Sequence, residues 1–479
     1  MLAKTLHSQT KHFPNRFAKS LGYLDWENQP SYYKEYIAPK IGLDYFDINL
    51  SYERLYTKNK PSEINLKTIG TLLKNSLAIN AIKKLYTSQW EVRVNPSSGN
   101  LHPEETYVIF ENKITHFNVK DFSLEVLGEA KNDIIKNGII VIFSSIPLRE
   151  AWKYGERALR YCLLDSGHAI ASLAFSANLL GLNITKTDHF AFKKLENKTA
   201  PNEEEYIENA FILHSGDYEL NIDEFLNTPL NLKALPLAKD SIRWEVVYEL
   251  FESFEKEDFS PKFINKEIKF LPSKLNAEEI IQNRRSALGF ISEYIDKRDL
   301  LDILDKTLPR NIPPFNTNAH FNNIDIVMFI NRVNGLESGI YYYSRNNLLK
   351  HNFTQIEERL YLIEKGDFSE ASKFINCTQD LGKQSSVSFS FVADFEKITK
   401  NYHYKLTLQE AGMVGHIIYL EAEAKGIRGC GIGCFFDDLI NNEILDGKLQ
   451  AVYNFTVGVP LIDERIIKVN PKEAKNYIS

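Results

Sequence analysis

Residues 163–182, LLDSGHAIASLAFSANLLGL, and residues 408–427, LQEAGMVGHIIYLEAEAKGI, are the two most apolar helical stretches of the chain. They align at one offset: Asp165 with Glu410, Gly167 with Gly412, Ala177 with Ala422 and Gly181 with Gly426 (410 − 165 = 245, and likewise for the other three pairs). Four landmarks in one register imply an internal duplication. Both stretches are apolar nearly all round, as in Ala169-Ile170-Ala171-Ser172-Leu173-Ala174-Phe175. That pattern predicts a central helix buried on several sides rather than a surface helix.

Working outward, each helix is preceded by a β-like run, Gly138 to Phe143 and Val387 to Val392, and followed by another, Ala210 to Leu213 and Tyr453 to Val457. Earlier in each half an amphipathic helix, Leu66 to Leu73 and Leu300 to Leu304, leads to a strand, Thr106 to Phe110 and Ile324 to Ile330. The expected organisation is an N-terminal extension over 1–50, a first half over 51–218, a structured connector over 219–275 and a second half over 276–479. The fold class is α+β, with strand, helix and strand around one core in each half.

A chain of 479 residues, 43% hydrophobic and 25% charged, is long enough for two such cores. The formal net charge of −6 gives no basic footprint, and the cluster Lys58, Lys60 and Lys67 reads as a solvated face, so no nucleic-acid partner is expected. The four cysteines, Cys162, Cys377, Cys430 and Cys434, are too few and too irregularly spaced for a disulfide framework, which points to a reducing cytoplasm. Met1 to Phe17 lacks the apolar core of a secretory signal, and no later run approaches membrane-spanning length. No membrane association is expected.

Five segments carry candidate chemistry. Pro96-Ser97-Ser98-Gly99-Asn100, just before a strand, offers hydroxyls, an amide and exposed backbone donors, and reads equally as a plain turn or a ligand loop. Arg284-Arg285-Ser286 could hold a phosphate through a guanidinium fork and a hydroxyl, or be two solvated arginines and a serine. The glycine run Gly429-Cys430-Gly431-Ile432-Gly433-Cys434 follows a helix, whereas a dinucleotide fingerprint follows a strand and opens a helix, so a Rossmann site is disfavoured. Cys430 and Cys434 have no third ligand nearby in sequence, so they read as small buried residues and no metal site is expected. Lys153 and Tyr154 could relay a proton, or begin a helix with Lys153 paired to Glu156. Arg465, beside Asp463 and Glu464, could meet an anion or form a surface salt bridge.

These segments together resemble the nitroreductase family, most closely its SagB-type dehydrogenase branch, in a tandem form that fuses the two subunits of a dimer. The resemblance rests on the Pro96 to Asn100 loop, Arg284 and Ser286, Gly431 to Gly433, Lys153 and Tyr154, the Asp463-Glu464-Arg465 tail, and the N-terminal Thr10 to Phe17 with Leu21 to Trp26. It implies two nitroreductase-like α/β-sandwich halves forming an intramolecular pseudo-dimer, FMN as cofactor and hydride transfer through flavin N5. Arg284, Ser286 and Arg465 would bind the FMN phosphate and ribityl chain, while the loop Gly431, Ile432 and Gly433 would reach N5. Pro96, Ser97, Ser98, Gly99 and Asn100 would lie against the flavin, with Lys153 and Tyr154 relaying the proton.

The halves divide these parts unequally. Pro314-Phe315-Asn316-Thr317-Asn318 stands where the first half has Pro96 to Asn100 (314 − 96 = 218), without the serines and glycine. The first half lacks Arg-x-Ser around Tyr52 to Leu55 and has Asn183 to Asp188 in place of the glycine run. One complete flavin site per chain is therefore expected, in a monomer. The substrate is a small molecule or a peptide: NAD(P)H-driven reduction of a quinone or nitro-like acceptor, or oxidation of a peptide azoline or other metabolite. The alternative is a non-catalytic scaffold of the same fold that binds a peptide or protein partner.

Overall fold

In the computed structural model, which describes every residue except Thr87, Pro201, residues 256–258 and Ser479, the paired apolar stretches are the helices Ala158–Leu179 and Asn401–Ala424. Every residue of the first except Asn178, and of the second except Asn401, is buried. The duplicated glycines end these helices for a physical reason. Gly181 and Gly426 have φ of +69° and +71°, the left-handed conformation a helix stop favours. Just past them Leu182 N–H donates to Ala177 O at 2.9 Å and Ile427 N–H to Ala422 O at 3.0 Å. Two of the four landmark pairs are thus one helix-terminating turn, built twice. The following strands, Asn183–Thr187 and Arg428–Ile432, keep the offset of 245 at both ends.

The chain divides into two compact units whose segments interleave. The first-half unit comprises Ser20–Glu252, Ile312–Asn318 and Glu464–Ser479; the second-half unit comprises Met1–Lys19, Ser253–Asn311 and Ala319–Asp463. The boundaries expected from sequence at 50, 218 and 275 are linear, whereas these units exchange their terminal segments.

Each unit is built on a seven-stranded sheet, antiparallel throughout. In the first-half unit the order is Lys40–Gly42, Ser123–Glu129, Lys113–Asn118, Glu104–Glu111, Ile135–Ser145, Tyr206–Leu220 and Asn183–Thr187. In the second-half unit it is Thr354–Glu357, Leu360–Lys365, Gly339–Tyr343, Asp325–Ile330, Val387–Ala393, Gln450–Gly458 and Arg428–Ile432. Counting inward from the strand that follows the long helix, the first six strands of both sheets share one connectivity, while the seventh differs: Lys40–Gly42 precedes the others in sequence, whereas Thr354–Glu357 falls between Gly339–Tyr343 and Leu360–Lys365. Alternation along the central strand Ile135–Ser145 sends Ile140 and Ile142 into a core shared with Tyr107, Ile109, Ile212 and Phe225. Ile139, Val141 and Phe143 on the opposite face are equally buried, so both faces of the sheet are covered there. The second-half unit has its own core around Val327, Phe329, Tyr342, Val392 and Ala451.

The terminal segments complete these units. The N-terminal helix Leu2–Gln9 packs on the buried helix Asn401–Ala424, with Ala3 N–H donating to Asn401 Oδ1 and His7 Nδ1 3.0 Å from Tyr404 Oη. His12 N–H donates to Asp437 Oδ2 at 2.7 Å. In the first-half unit the C-terminal strand Ile466–Lys468 pairs with Ile79–Leu85, which also pairs with Ser88–Arg93. Among the described residues no helix is long and apolar enough to cross a membrane.

One feature corrects the reading of the cysteines. Cys377 and Cys434 form a disulfide with a Cα–Cα distance of 5.9 Å across 57 residues of sequence. Cys434 is therefore not simply a small buried residue. Its partner is brought near by the folding of the second-half unit, which spacing along the chain does not reveal.

Candidate functional site

Arg284 sits where the helix Ala277–Asn283 ends. Asn276 and Glu279 close its N-terminus as a reciprocal capping box, and Arg284 leaves helical geometry with ψ of 122°. The chain beyond runs beside the outermost strand of the second-half sheet: Ala287 N–H donates to Gly429 O at 2.8 Å, and Leu461 N–H to Gly289 O at 2.9 Å. The side chains of the paired strand Gln450–Gly458 explain the glycines. A Cβ at Gly429 would stand 2.6 Å from Phe455 Cε1, and one at Gly431 would collide with the Tyr453 hydroxyl.

Between the two segments stands Tyr419, a buried residue of the long helix. Its hydroxyl lies 2.8 Å from Ser286 Oγ and accepts the Gly431 N–H at 2.8 Å, and the Arg284 guanidinium lies 5.1 Å from its ring centroid. One phenol thus joins Arg284, Ser286 and Gly431. Burial, with the Cys430 thiol nearby, pushes Tyr419 above its ordinary value, so it stays a neutral phenol.

The electrostatics favour an anion. Arg284 and Arg285 are 2% and 4% exposed, which removes the reading of two solvated arginines. Burial and then the neighbouring Arg284 push Arg285 down to about 9, and burial lowers Arg284 as well. The charged groups acting on this pair are Glu423 and Arg428, which are already bonded to each other at 2.8 Å. Counted over these four side chains, three guanidinium groups and one carboxylate give a formal charge of +2. A phosphate monoester, carrying about −1.5 to −2 at neutral pH, has the complementary charge.

The glycine run differs from its expected form. Gly431 and Ile432 belong to the strand Arg428–Ile432 rather than to a loop, and only Gly433 lies beyond it. The Gly431 N–H already serves Tyr419. A strand forms because Gly431 and Ile432 pair with Phe455 and Asn454, a long-range partnership that outweighs the poor strand propensity of glycine.

The other candidates converge in the first-half unit. The Asp165 carboxylate accepts Ser97 Oγ–H at 2.7 Å, Ser98 N–H at 2.8 Å and Ser98 Oγ–H at 2.9 Å. Asn100 Nδ2 donates to Glu91 O at 2.8 Å. Gly99 has φ of +59°, and a Cβ there would stand 2.5 Å from Tyr154 Oη and 3.2 Å from Lys153 Nζ. The structure therefore brings Pro96 to Asn100 together with Lys153 and Tyr154. Lys153 Nζ lies 5.3 Å from the Tyr154 ring centroid, at the end of the helix Leu148–Tyr154 rather than at its start. Burial, then the neighbouring Glu150, holds the Tyr154 phenol well above its ordinary value.

Arg465 also belongs to the first-half unit, where its carbonyl accepts Lys84 N–H at 2.9 Å; it is not part of the Arg284 cluster's unit. Among the described residues no group of three or more His, Cys, Asp or Glu side chains could hold a metal ion.

The first-half counterparts of the cradle are chemically different. At the offset of 245, Ala174 stands for Tyr419, Ile184 for Gly429, Lys186 for Gly431 and Asp188 for Gly433. The Lys186 ammonium lies 3.4 Å from Asn318 O, in the loop that replaces the Pro-Ser-Ser sequence. Tyr419 was missed by sequence reading because a tyrosine in an apolar helix reads as core. The available signal was the mismatch with Ala174 inside the repeat.

No family model and no curated protein matches the chain. Among solved structures, a protein from Anabaena variabilis designated a nitroreductase aligns over 96% of this chain and 99% of its own, with TM-score 0.70 and 20% identity. One from Ralstonia eutropha with the same designation aligns over 43% of this chain and 97% of its own, with TM-score 0.30 and 14% identity. The Escherichia coli microcin synthetase McbBCD complex with truncated pro-MccB17 bound aligns over 41% and 79%, with TM-score 0.30 and 14% identity. The chain has the nitroreductase fold in α+β form, present as two fused halves.

Proposed function

We propose that this protein is an FMN-dependent oxidoreductase of the SagB-type nitroreductase branch, with one flavin site per chain. The observation that carries the reading is the buried Arg284–Arg285 pair, formal charge +2 with its neighbours, joined through Tyr419 to Ser286 and Gly431. Such a cradle fits the phosphate and hydroxylated chain of FMN: guanidinium groups for the phosphate, and a serine hydroxyl and glycine backbone for the remainder. When bound, FMN would supply a two-electron carrier that gives or takes a hydride at N5. Arg284 and Ser286 hold the phosphate end, and Gly433 offers backbone beyond the strand. The Pro96 to Asn100 loop, Lys153 and Tyr154, with Arg465 as a further cation, are the parts that the sequence resemblance adds to the same flavin.

Lys153 and Tyr154 handle the proton that accompanies hydride transfer. The resemblance of the Lys153-Tyr154 segment to the one azoline-oxidising members use beside the flavin favours oxidation of a small metabolite or peptide azoline over simple acceptor reduction by NAD(P)H. The decisive experiment is FMN titration of wild type and Arg284→Ala followed by flavin fluorescence. Wild type is expected to saturate at one FMN per chain, with Arg284→Ala binding at least tenfold more weakly, about 1.4 kcal/mol. A colourless protein that cannot be loaded with FMN would favour the scaffold reading instead.

A further inference from the structure

Behind the Pro96 to Asn100 loop lies a group of buried carboxyl side chains that the flavin reading does not use. Glu150, on the helix Leu148–Tyr154, is 0% exposed, and Glu104, on the strand Glu104–Glu111, is 5% exposed. Among the described residues no donor reaches either carboxylate oxygen of Glu150 or of Glu104. The Glu150 and Asp165 carboxyl groups lie within hydrogen-bonding reach of each other. Two carboxylates cannot bond to each other without a proton, and an unpaired buried charge is strongly unfavourable. Asp165 already accepts from Ser97 and Ser98, so the proton belongs on Glu150, which donates it to Asp165.

The second half settles the same problem differently. There Glu410, the repeat counterpart of Asp165, accepts Asn323 N–H at 2.8 Å and pairs with the buried Arg345 at 3.0 Å. The first-half acid meets another acid instead of an arginine. Glu150 also precedes Lys153 and Tyr154 by three and four residues, the spacings that place side chains on one helical face.

We propose that Glu150 and Asp165 share a single proton, and that Glu150, as hydrogen-bond donor to Asp165, is a positioning residue that fixes the Pro96 to Asn100 loop and the charge beside Lys153 and Tyr154. The loop-fixing part stands on the geometry above; the consequence for catalysis rests on the flavin reading. The titratable and charged groups around Glu150 are Lys153 and Tyr154 on its own helix, Asp165, Cys162 and Tyr161 on the long helix, and Glu104 on the adjoining strand; Glu208 and Arg93 act on Glu104 in turn. Burial raises both acids, Glu150 well above its ordinary value and Asp165 to about 7, the latter held down by Ser97, Ser98 and Glu150. Above about pH 7 the pair thus holds one proton rather than none.

The test uses full-length Glu150→Gln, Glu150→Leu and Asp165→Asn. First, infrared difference titration of the protein without added flavin follows carboxyl protonation. Wild type and Glu150→Gln are expected to show one carboxyl titrating near neutrality, Glu150→Leu the same group moved up by about one pH unit because its donor is gone, and Asp165→Asn no such group. Second, with FMN loaded and photoreduced, reoxidation by para-benzoquinone is followed against pH. Hydride passes to the quinone, and the resulting hydroquinone anion takes its proton at Lys153 and Tyr154. The neutral limb of that profile should move with Glu150→Leu, return with Glu150→Gln and vanish with Asp165→Asn. A neutral-range carboxyl that persists in Asp165→Asn, or a Glu150→Leu titration superimposable on wild type, overturns the proposal. If no FMN binds, the flavin reading fails while the infrared titration still decides the shared proton.

Discussion

Tyr419 shows how much one side chain organises in the second-half unit. Replacing it by Phe keeps the ring under Arg284 but removes the acceptor of Gly431 N–H and the partner of Ser286. A buried donor left without its acceptor costs about 1–3 kcal/mol. Tyr419→Phe is therefore expected to lower the urea midpoint and to weaken FMN binding by about tenfold. Unchanged affinity in a flavin titration would remove Tyr419 from the cradle. Gly99 answers to a different constraint. Alanine there must adopt positive φ and intrude on Tyr154 and Lys153, so Gly99→Ala is expected to cost about 1 kcal/mol or more in denaturant unfolding. Arg284, Ser286 and the Pro96 to Asn100 loop stood out in the sequence as candidates through the family resemblance, local residue pattern alone leaving a plain turn or solvated arginines equally open. Tyr419, Glu150 and the Cys377–Cys434 pair did not, since each acquires its partner only when distant segments fold together.

At the scale of elements, the central helices and the strands beside them were readable because burial on all sides leaves an apolar stretch no alternative. Short edge elements were not. The strand Ile466–Lys468 lies in a mixed tail, Asp463 to Lys468, and is specified by its register on Ile79–Leu85, where Ile467 faces Ile82. The same holds for Arg428–Ile432, whose glycines read as a loop until Gln450–Gly458 pairs with it. Removing residues 464–479 would leave Ile79–Leu85 with one partner strand, Ser88–Arg93, and its other edge open. Amide hydrogen exchange in Ile79–Leu85 should then quicken while exchange in Asp325–Ile330 of the second-half sheet stays slow. Equal protection of Ile79–Leu85 in the shortened and full-length proteins would show that the tail adds no stability there.

For the whole molecule, the duplication supplies two scaffolds whose buried charges differ. In the first-half unit Glu105 is held down to about 2: burial alone would raise it, but Arg149 and His116 outweigh burial. Its contribution is present above its ordinary value and is lost as pH falls towards about 2. Asp165 has the opposite sign. Raised to about 7, it favours the folded state most below its ordinary value, and that advantage disappears as pH rises through about 7. Stability should thus decline from about pH 5 to about pH 8, and Asp165→Asn should flatten that decline in urea unfolding. On the proposed flavin reading, the same asymmetry sets the number of ligands expected. In the second half, Tyr419, Gly429 and Gly431 leave backbone and hydroxyl groups where Ala174, Ile184 and Lys186 stand in the first. Lys186 is the telling exchange, because its side chain occupies the space a glycine would leave open and reaches towards Asn318 O. On the flavin reading proposed above, a lysine stem takes room the cofactor would need there, so the first-half counterpart is expected to bind none. Isothermal titration with FMN is expected to give one site per chain in wild type and still one in Lys186→Ala, because removing the lysine restores neither Tyr419 nor the arginine pair. Two sites in wild type would mean that the first-half scaffold kept a cradle built from other residues, and the division of labour between the halves would have to be abandoned.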